Sequence, residues 1–150
     1  MPNQKPFVQV ACICENILQD KDNVVSVIRI VDIFSLAVPE NTPQNMPLGF
    51  PVTIFVSLRS GDLTGKSKLV IQGRQPDGKL SLRADVEIEL GEKGPGSGPQ
   101  VRVQMHLISP QSGLYWFDVL WNGELLTSIP AEIKINREPS QATSVKPLTS

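Results

Sequence analysis

Histidine and tyrosine each occur once in this 150-residue chain, cysteine occurs twice, and aromatic residues make up 5%. Each shortage removes a class of chemistry. The lone imidazole, His106, has no second histidine with which to share a metal, and neither an HExxH pair nor a GxSxG nucleophile elbow is present. Two cysteines are too few for a disulfide framework or a four-thiolate zinc site. An excess of one charge is missing too. Fourteen basic and 15 acidic residues give a formal net charge of −1, with no global attraction to nucleic acid or to an anionic membrane. Arg59, Lys66, Lys68, Arg74, Lys79 and Arg83 gather in the middle, but Phe55 is the only aromatic close to them in sequence, so a base-stacking platform is not expected. Interspersed Asp62, Asp77 and Asp85 make a charged outer face the simpler reading. The N-terminus shows no secretory pattern. The longest apolar run, VVSVIRIVDIFSLAVP, is broken by Arg29 and Asp32 and is short for a membrane span. The expectation is a cytoplasmic protein that binds neither membrane nor nucleic acid.

What the chain does contain is punctuation. Thirteen prolines and 11 glycines divide it into short segments with a two-residue apolar period, which marks half-buried strands. PFVQVACIC is the first, with Val8, Val10, Cys12 and Cys14 expected on one face and Phe7, Gln9, Ala11 and Ile13 on the other. VVSVIRIVD follows an acidic turn at Asp20 to Asn23 and continues less regularly to Pro39, after which 40–49 reads as a loop. PVTIFVSLRS alternates Val52, Ile54, Val56 and Leu58 against Thr53, Phe55 and Ser57. SGDLTGKS at 60–67 reads as a hairpin turn. KLVIQGRQ and LSLRADVEIEL are joined by the turn signal PDGK. GEKGPGSGP reads as a flexible hairpin tip or loop before QVRVQMHLIS. LYWFDVLW and ELLTSIPAEIKI are joined at Asn122-Gly123, a favoured two-residue hairpin turn. Residues 1–137 are expected to form one domain, followed by a disordered polar tail at 138–150. No crossover helix has a convincing pattern. The fold class is therefore all-β: an antiparallel two-sheet β-sandwich of about eight strands.

Several stretches imitate chemistry. SGDLTGKS resembles a phosphate-binding loop, but it has three residues where the motif needs four before GKS, Ser60 replaces the first glycine, and a strand follows where a helix is required. Asp20, Asp22, Asp32, Asp62 and Asp118 supply carboxylates for a loop-bound calcium ion, although turns use the same residues to cap their own backbone. His106 alternates with Arg102 and Gln104, which places it on the surface. Cys12 and Cys14 lie one residue apart in CICE; on a strand their Cα atoms are about 6.5–7 Å apart, at the long end of disulfide spacing. They read as two reduced, buried core thiols. No cofactor and no metal are expected. Trp116 and Trp121 lie on opposite faces of the aromatic strand, and either can anchor a partner or a sugar if left partly uncovered.

FVQVACICENILQDKDNVVSVIRIVDIFSLAVP, PVTIFVSLRS, QPDGK and GLYWFDVLWNGELLTSIPAEI together resemble a family of small bacterial β-sandwich proteins of unknown function. The points of likeness are Asp32 in the second strand, the Gly113-x-Tyr115-x-Phe117-x-Val119 strand, and Pro130 in the closing strand. They span roughly residues 7–135. The resemblance implies an immunoglobulin-like or C2-like sandwich and assigns no activity. The functional expectation is a non-enzymatic interaction or assembly module that binds a protein partner, or pairs with its own kind, through sheet edges and aromatics. The alternative is a small-ligand or carbohydrate-binding module using Trp116 or Trp121.

Overall fold

The computed structural model describes residues 4–41, 49–108 and 111–138. The proposed polar tail, apart from Glu138, and most of the loop at 40–49 lie outside them. Nine strands form two sheets: β1 (Phe7–Gln19), β2 (Val25–Ile30), β3 (Ile33–Pro39), β4 (Gly49–Arg59), β5 (Gly65–Arg74), β6 (Leu80–Leu90), β7 (Gln100–Ile108), β8 (Gly113–Trp121) and β9 (Glu124–Glu138). The four-stranded sheet has the order β2-β1-β4-β7 and the five-stranded sheet the order β3-β9-β8-β5-β6. The architecture is an all-β sandwich of the kind the alternation specifies.

The inner faces meet in one core. Ile13, Ile54 and Val56 come from the four-stranded sheet, and Ile71, Phe117 and Ile133 from the other, all at 0–1% exposure. Burying each such side chain stabilises the fold by about 1.5–3 kcal/mol. The two strongest turn signals form as expected. Gly78 takes φ 89° between β5 and β6, and Asn122 and Gly123 take φ 47° and 84° between β8 and β9, matching a hairpin with positive φ at both central residues. Tyr115, at the start of β8, accepts the Gln111 N–H on its hydroxyl at 2.8 Å, which ties the preceding loop to the strand.

Four expectations are corrected. The run VSVIRIVDIFSLAVP is two strands, not one with a ragged end, because it changes sheets. Arg29 adopts φ 54°, Val31 N–H donates to Ile13 O at 2.8 Å in one sheet, and Asp32 O accepts Glu132 N–H at 2.9 Å in the other. β3 then pairs parallel with β9, so the sandwich is antiparallel with one parallel pair. SGDLTGKS is not a hairpin turn: β4 and β5 belong to different sheets, and the segment carries the chain across the core. Of the two readings of GEKGPGSGP, the hairpin tip is overturned and the loop stands, as an inter-sheet crossing from β6 to β7. It is tied down along β4, where Leu58 N–H donates to Pro99 O at 3.0 Å, Ser60 N–H to Ser97 O at 2.7 Å and Gly61 N–H to Pro95 O at 3.0 Å.

The fourth correction concerns the cysteines. Val8 pairs with Leu58 and Val10 with Ser57, so Gln9 is an inserted bulge residue. Its Oε1 accepts Ser57 Oγ–H at 3.1 Å and Arg59 Nε–H at 2.9 Å. The extra residue reverses the face that follows. Val8, Ala11 and Ile13 point into the central core, whereas Val10, Cys12 and Cys14 form a separate cluster with Phe55. The two thiols are buried, as expected, but on the outer face of their sheet and not between the sheets.

Candidate interaction surface

The outer face of the five-stranded sheet carries an indole in polar company. Along β8, Tyr115, Phe117 and Val119 point inward at 0–1% exposure, which turns Trp116, Asp118 and Leu120 outward. Trp116 is half-buried, level with Arg74 on β5 and Pro130 on β9. The next row is Gln72, Asp118 and Ser128. Leu114 and Leu125 extend the face at 44% and 53% exposure.

Asp118 holds this face together. Arg74 grips its carboxylate with two hydrogen bonds, Nε to Oδ2 at 2.7 Å and Nη2 to Oδ1 at 3.0 Å, and Ser128 Oγ–H donates to Oδ1 at 2.6 Å. Burial pushes this carboxyl up, but the hydrogen bonds from Arg74, Ser128 and Gln72 and the Arg74 charge outweigh it. The pKa therefore lies below the usual aspartate value. Its oxygens are occupied by donors, an arrangement suited to fixing three strands in register. Arg74, level with Trp116 on the neighbouring strand, is in turn held in place.

Trp121 sits differently. It turns inward at the end of β8, packs against the central core, and donates its indole N–H to Ser67 Oγ at 2.9 Å. The two tryptophans therefore lie on opposite faces of one sheet. His106 is exposed on the outer face of β7, level with Pro51. The five candidate calcium ligands are dispersed. Asp20 and Asp22 lie in the β1–β2 turn, Asp32 in the sheet crossing, Asp62 in the β4–β5 connection and Asp118 in mid-β8. Asp20 Oδ1 already accepts the N–H groups of Asp22 and Val24, at 2.9 and 3.1 Å. Among the described residues, no three histidine, cysteine or acidic side chains converge as a metal site. The basic residues of β5 and β6 face their own acids: Lys66 lies 3.8 Å from Glu87, Lys68 lies 3.7 Å from Asp85, and Arg83 lies 2.9 Å from Asp85.

Cys12 and Cys14 are free, with burial raising both thiol pKa values; for Cys12 the neighbouring Cys14 adds to the rise. Two features escaped the sequence. One is the Arg74–Asp118 pair, 44 residues apart in the chain; its only trace was a charged residue at the centre of an aromatic strand. The other is an open groove of about 490 Å³ at the seam between β6 and β7, with Val86, Ile88 and Val101 among its apolar lining and Glu89, Lys93 and Arg102 among its charged lining. A second groove, of about 590 Å³, lies beside Phe7 and the β4–β5 connection; neither groove contains an indole.

No family model matches the chain, and no curated protein matches it. Among solved structures it is similar to an immunoglobulin-like protein from Pseudomonas aeruginosa, with 15% identity and a TM-score of 0.45, over 89% of this chain and 100% of that one. It is similar to a glycosyl hydrolase family 2 member from Bacteroides cellulosilyticus, with 14% identity and a TM-score of 0.44; that likeness covers 57% of this chain and spans only 13% of the hydrolase. It is also similar to a β-glucosidase from Listeria innocua, with 12% identity and a TM-score of 0.41, over 89% of this chain and 17% of that one. These likenesses leave the activity unassigned.

Proposed function

We propose that the chain is a non-enzymatic interaction or assembly module of the cytoplasm that docks a protein partner on the outer face of the five-stranded sheet, with Trp116 as the anchor. One observation carries this reading: a half-covered indole stands on a sheet face between Pro130 and an arginine immobilised by Asp118. Partly covered tryptophans and ordered arginines dominate the binding energy of protein interfaces, because their contact area loses little conformational entropy on docking. The grooves beside β6–β7 and Phe7 lack an indole, which weighs against a stacked sugar in either of them.

The test is capture from native cell extract on the immobilised chain. A defined protein is expected on the wild type, lost with Trp116→Ala and kept with Trp121→Phe, whose site faces the core. Retention of a defined glycan in place of any protein would replace this reading with the carbohydrate-binding one. Capture that is indifferent to Trp116→Ala would move the docking site off this face.

A further inference from the structure

Among the described residues, the two sheets end in four edges, β2, β7, β3 and β6. Exposed edges template further strands, and proteins commonly blunt them with short length, kinks, proline, bulges or charge. Three edges here carry such devices. β2 has six residues and is kinked at Arg29, with φ 54°. β3 has seven residues and ends at Pro39. β6 is bulged opposite Gly73/Arg74 and carries Arg83, Asp85, Glu87 and Glu89 on alternate positions. β7 has neither kink, bulge nor proline, and Arg102 is its single Lys, Arg, Asp or Glu. It is nine residues long, contains no proline, pairs with β4 in unbroken register from Gln100 to Ile108, and alternates exposed and buried side chains throughout.

The phase of its hydrogen bonds follows from one contact. Leu58 N–H donates to Pro99 O at 3.0 Å, in line with the β4–β7 register. In an antiparallel ladder every second residue bonds the same neighbour. Val101, Val103, Met105 and Leu107 therefore bond β4, and the backbone groups of Gln100, Arg102, Gln104, His106 and Ile108 point away from it. We propose that this edge is occupied by a second copy of the chain, with β7 pairing antiparallel to its counterpart about a twofold axis at Gln104. The pairing joins two four-stranded sheets into one and satisfies about ten outward N–H and C=O groups on each side in reciprocal bonds.

Charge selects the second copy. On the outer row of β7 the twofold sets Gln104 opposite Gln104 and Arg102 opposite His106, with no acid facing an acid. The same operation on β6 brings Asp85, Glu87 and Glu89 against one another, and like charges directly opposite destabilise a strand pair. Self-pairing is thus accepted at one edge of the seam and refused at the other. This surface is separate from the Trp116 face, and the inference stands whether or not that reading holds.

Sedimentation equilibrium on the full chain across a wide concentration range tests the pairing. The expected result is a reversible dimer of the 16.4 kDa chain. Gln104→Pro removes an outward N–H without touching the β4 ladder, and a proline is tolerated on an edge strand in that orientation. It should raise the dimer dissociation constant on the order of tenfold or more through the loss of the two central bonds. Gln104→Glu, which leaves the backbone intact, sets two carboxylates on the axis and should weaken the dimer several-fold, less so at high salt. Trp116→Ala should leave it unchanged. A chain that stays monomeric at every concentration overturns the proposal. So does a dimer that ignores Gln104→Glu, or one that Trp116→Ala dissociates.

Discussion

Gly98 and Gly96 stand two residues apart in one glycine-rich crossing, yet the structure assigns them opposite sensitivities. A Cβ added at Gly98 would lie 2.1 Å from Leu58 O, 2.7 Å from Leu58 C and 2.9 Å from Arg59 Cα. All three are backbone atoms of β4, which cannot swing aside as a side-chain tip can. Gly98→Ala therefore forces the crossing away from the strand by roughly an ångström, the shortfall from an ordinary van der Waals contact. That movement breaks the Leu58–Pro99, Ser60–Ser97 and Gly61–Pro95 backbone bonds. At about 0.5–1.5 kcal/mol each, their loss sets the destabilisation at about 2–4 kcal/mol. At Gly96 an added Cβ meets nothing within 4 Å. Gly96→Ala should be neutral or stabilise by up to about 1 kcal/mol, because it narrows the unfolded ensemble. Urea denaturation followed by tryptophan fluorescence measures both, and amide exchange reports whether Ser60 and Gly61 lose protection in Gly98→Ala. A Gly98→Ala protein within about 0.5 kcal/mol of the parent would refute the claim that the crossing is clamped to β4.

Two further outcomes follow from the buried ionisable groups. Asp118 has a folded-state pKa below its unfolded value, so its contribution is present above about pH 4 and is lost as the pH falls through the folded pKa. Thermal melts should show the parent losing stability faster than Asp118→Asn between about pH 5 and pH 2; parallel profiles would contradict the ion-paired carboxylate. Burial raises the pKa of Cys12 and Cys14, so Ellman's reagent near pH 8 should label the folded chain slowly and the denatured chain at once. Rapid labelling of both thiols in the native protein would show that the Phe55 cluster does not cover them.

Much of the sandwich was legible because a half-buried strand writes its burial into every second residue. β7, and β6 from Leu82 onward, follow their alternation closely, whereas β4 is buried on both faces from Val52 to Leu58; the PDGK and Asn-Gly turns carry the positive φ that only a few residues accept. What stayed hidden has no local signature. Val31 and Asp32 carry the chain between sheets, but the residues on either side are equally apolar and β-branched, so periodicity runs on through the crossing. The inserted Gln9 has the polarity of an ordinary outward residue, yet it reverses the sides of Val8 and Val10 and moves both cysteines out of the central core. The β4–β5 and β6–β7 crossings look like hairpin turns, since a turn's composition records its curvature and not which sheet it enters. At the candidate surface, alternation placed Trp116 and Trp121 on opposite faces, but the arginine that pairs level with the first and the serine that takes the indole N–H of the second lie 42 and 54 residues away. Such partners become neighbours only through register.

The parallel pairing of β3 with β9 imposes an order on assembly. Ile33 lies opposite Glu132, so a strand made early waits for nearly the last described segment before its ladder can close. During synthesis at about 5–20 residues per second that interval is roughly 5–20 s. Hairpins β1–β2, β5–β6 and β8–β9 need only local chain, whereas β3 keeps an unpaired edge throughout. Closing so long a loop is entropically costly and kinetically slow. The nascent chain is therefore most exposed to mispairing at Ile33–Pro39, and the arrival of β9 ends that exposure.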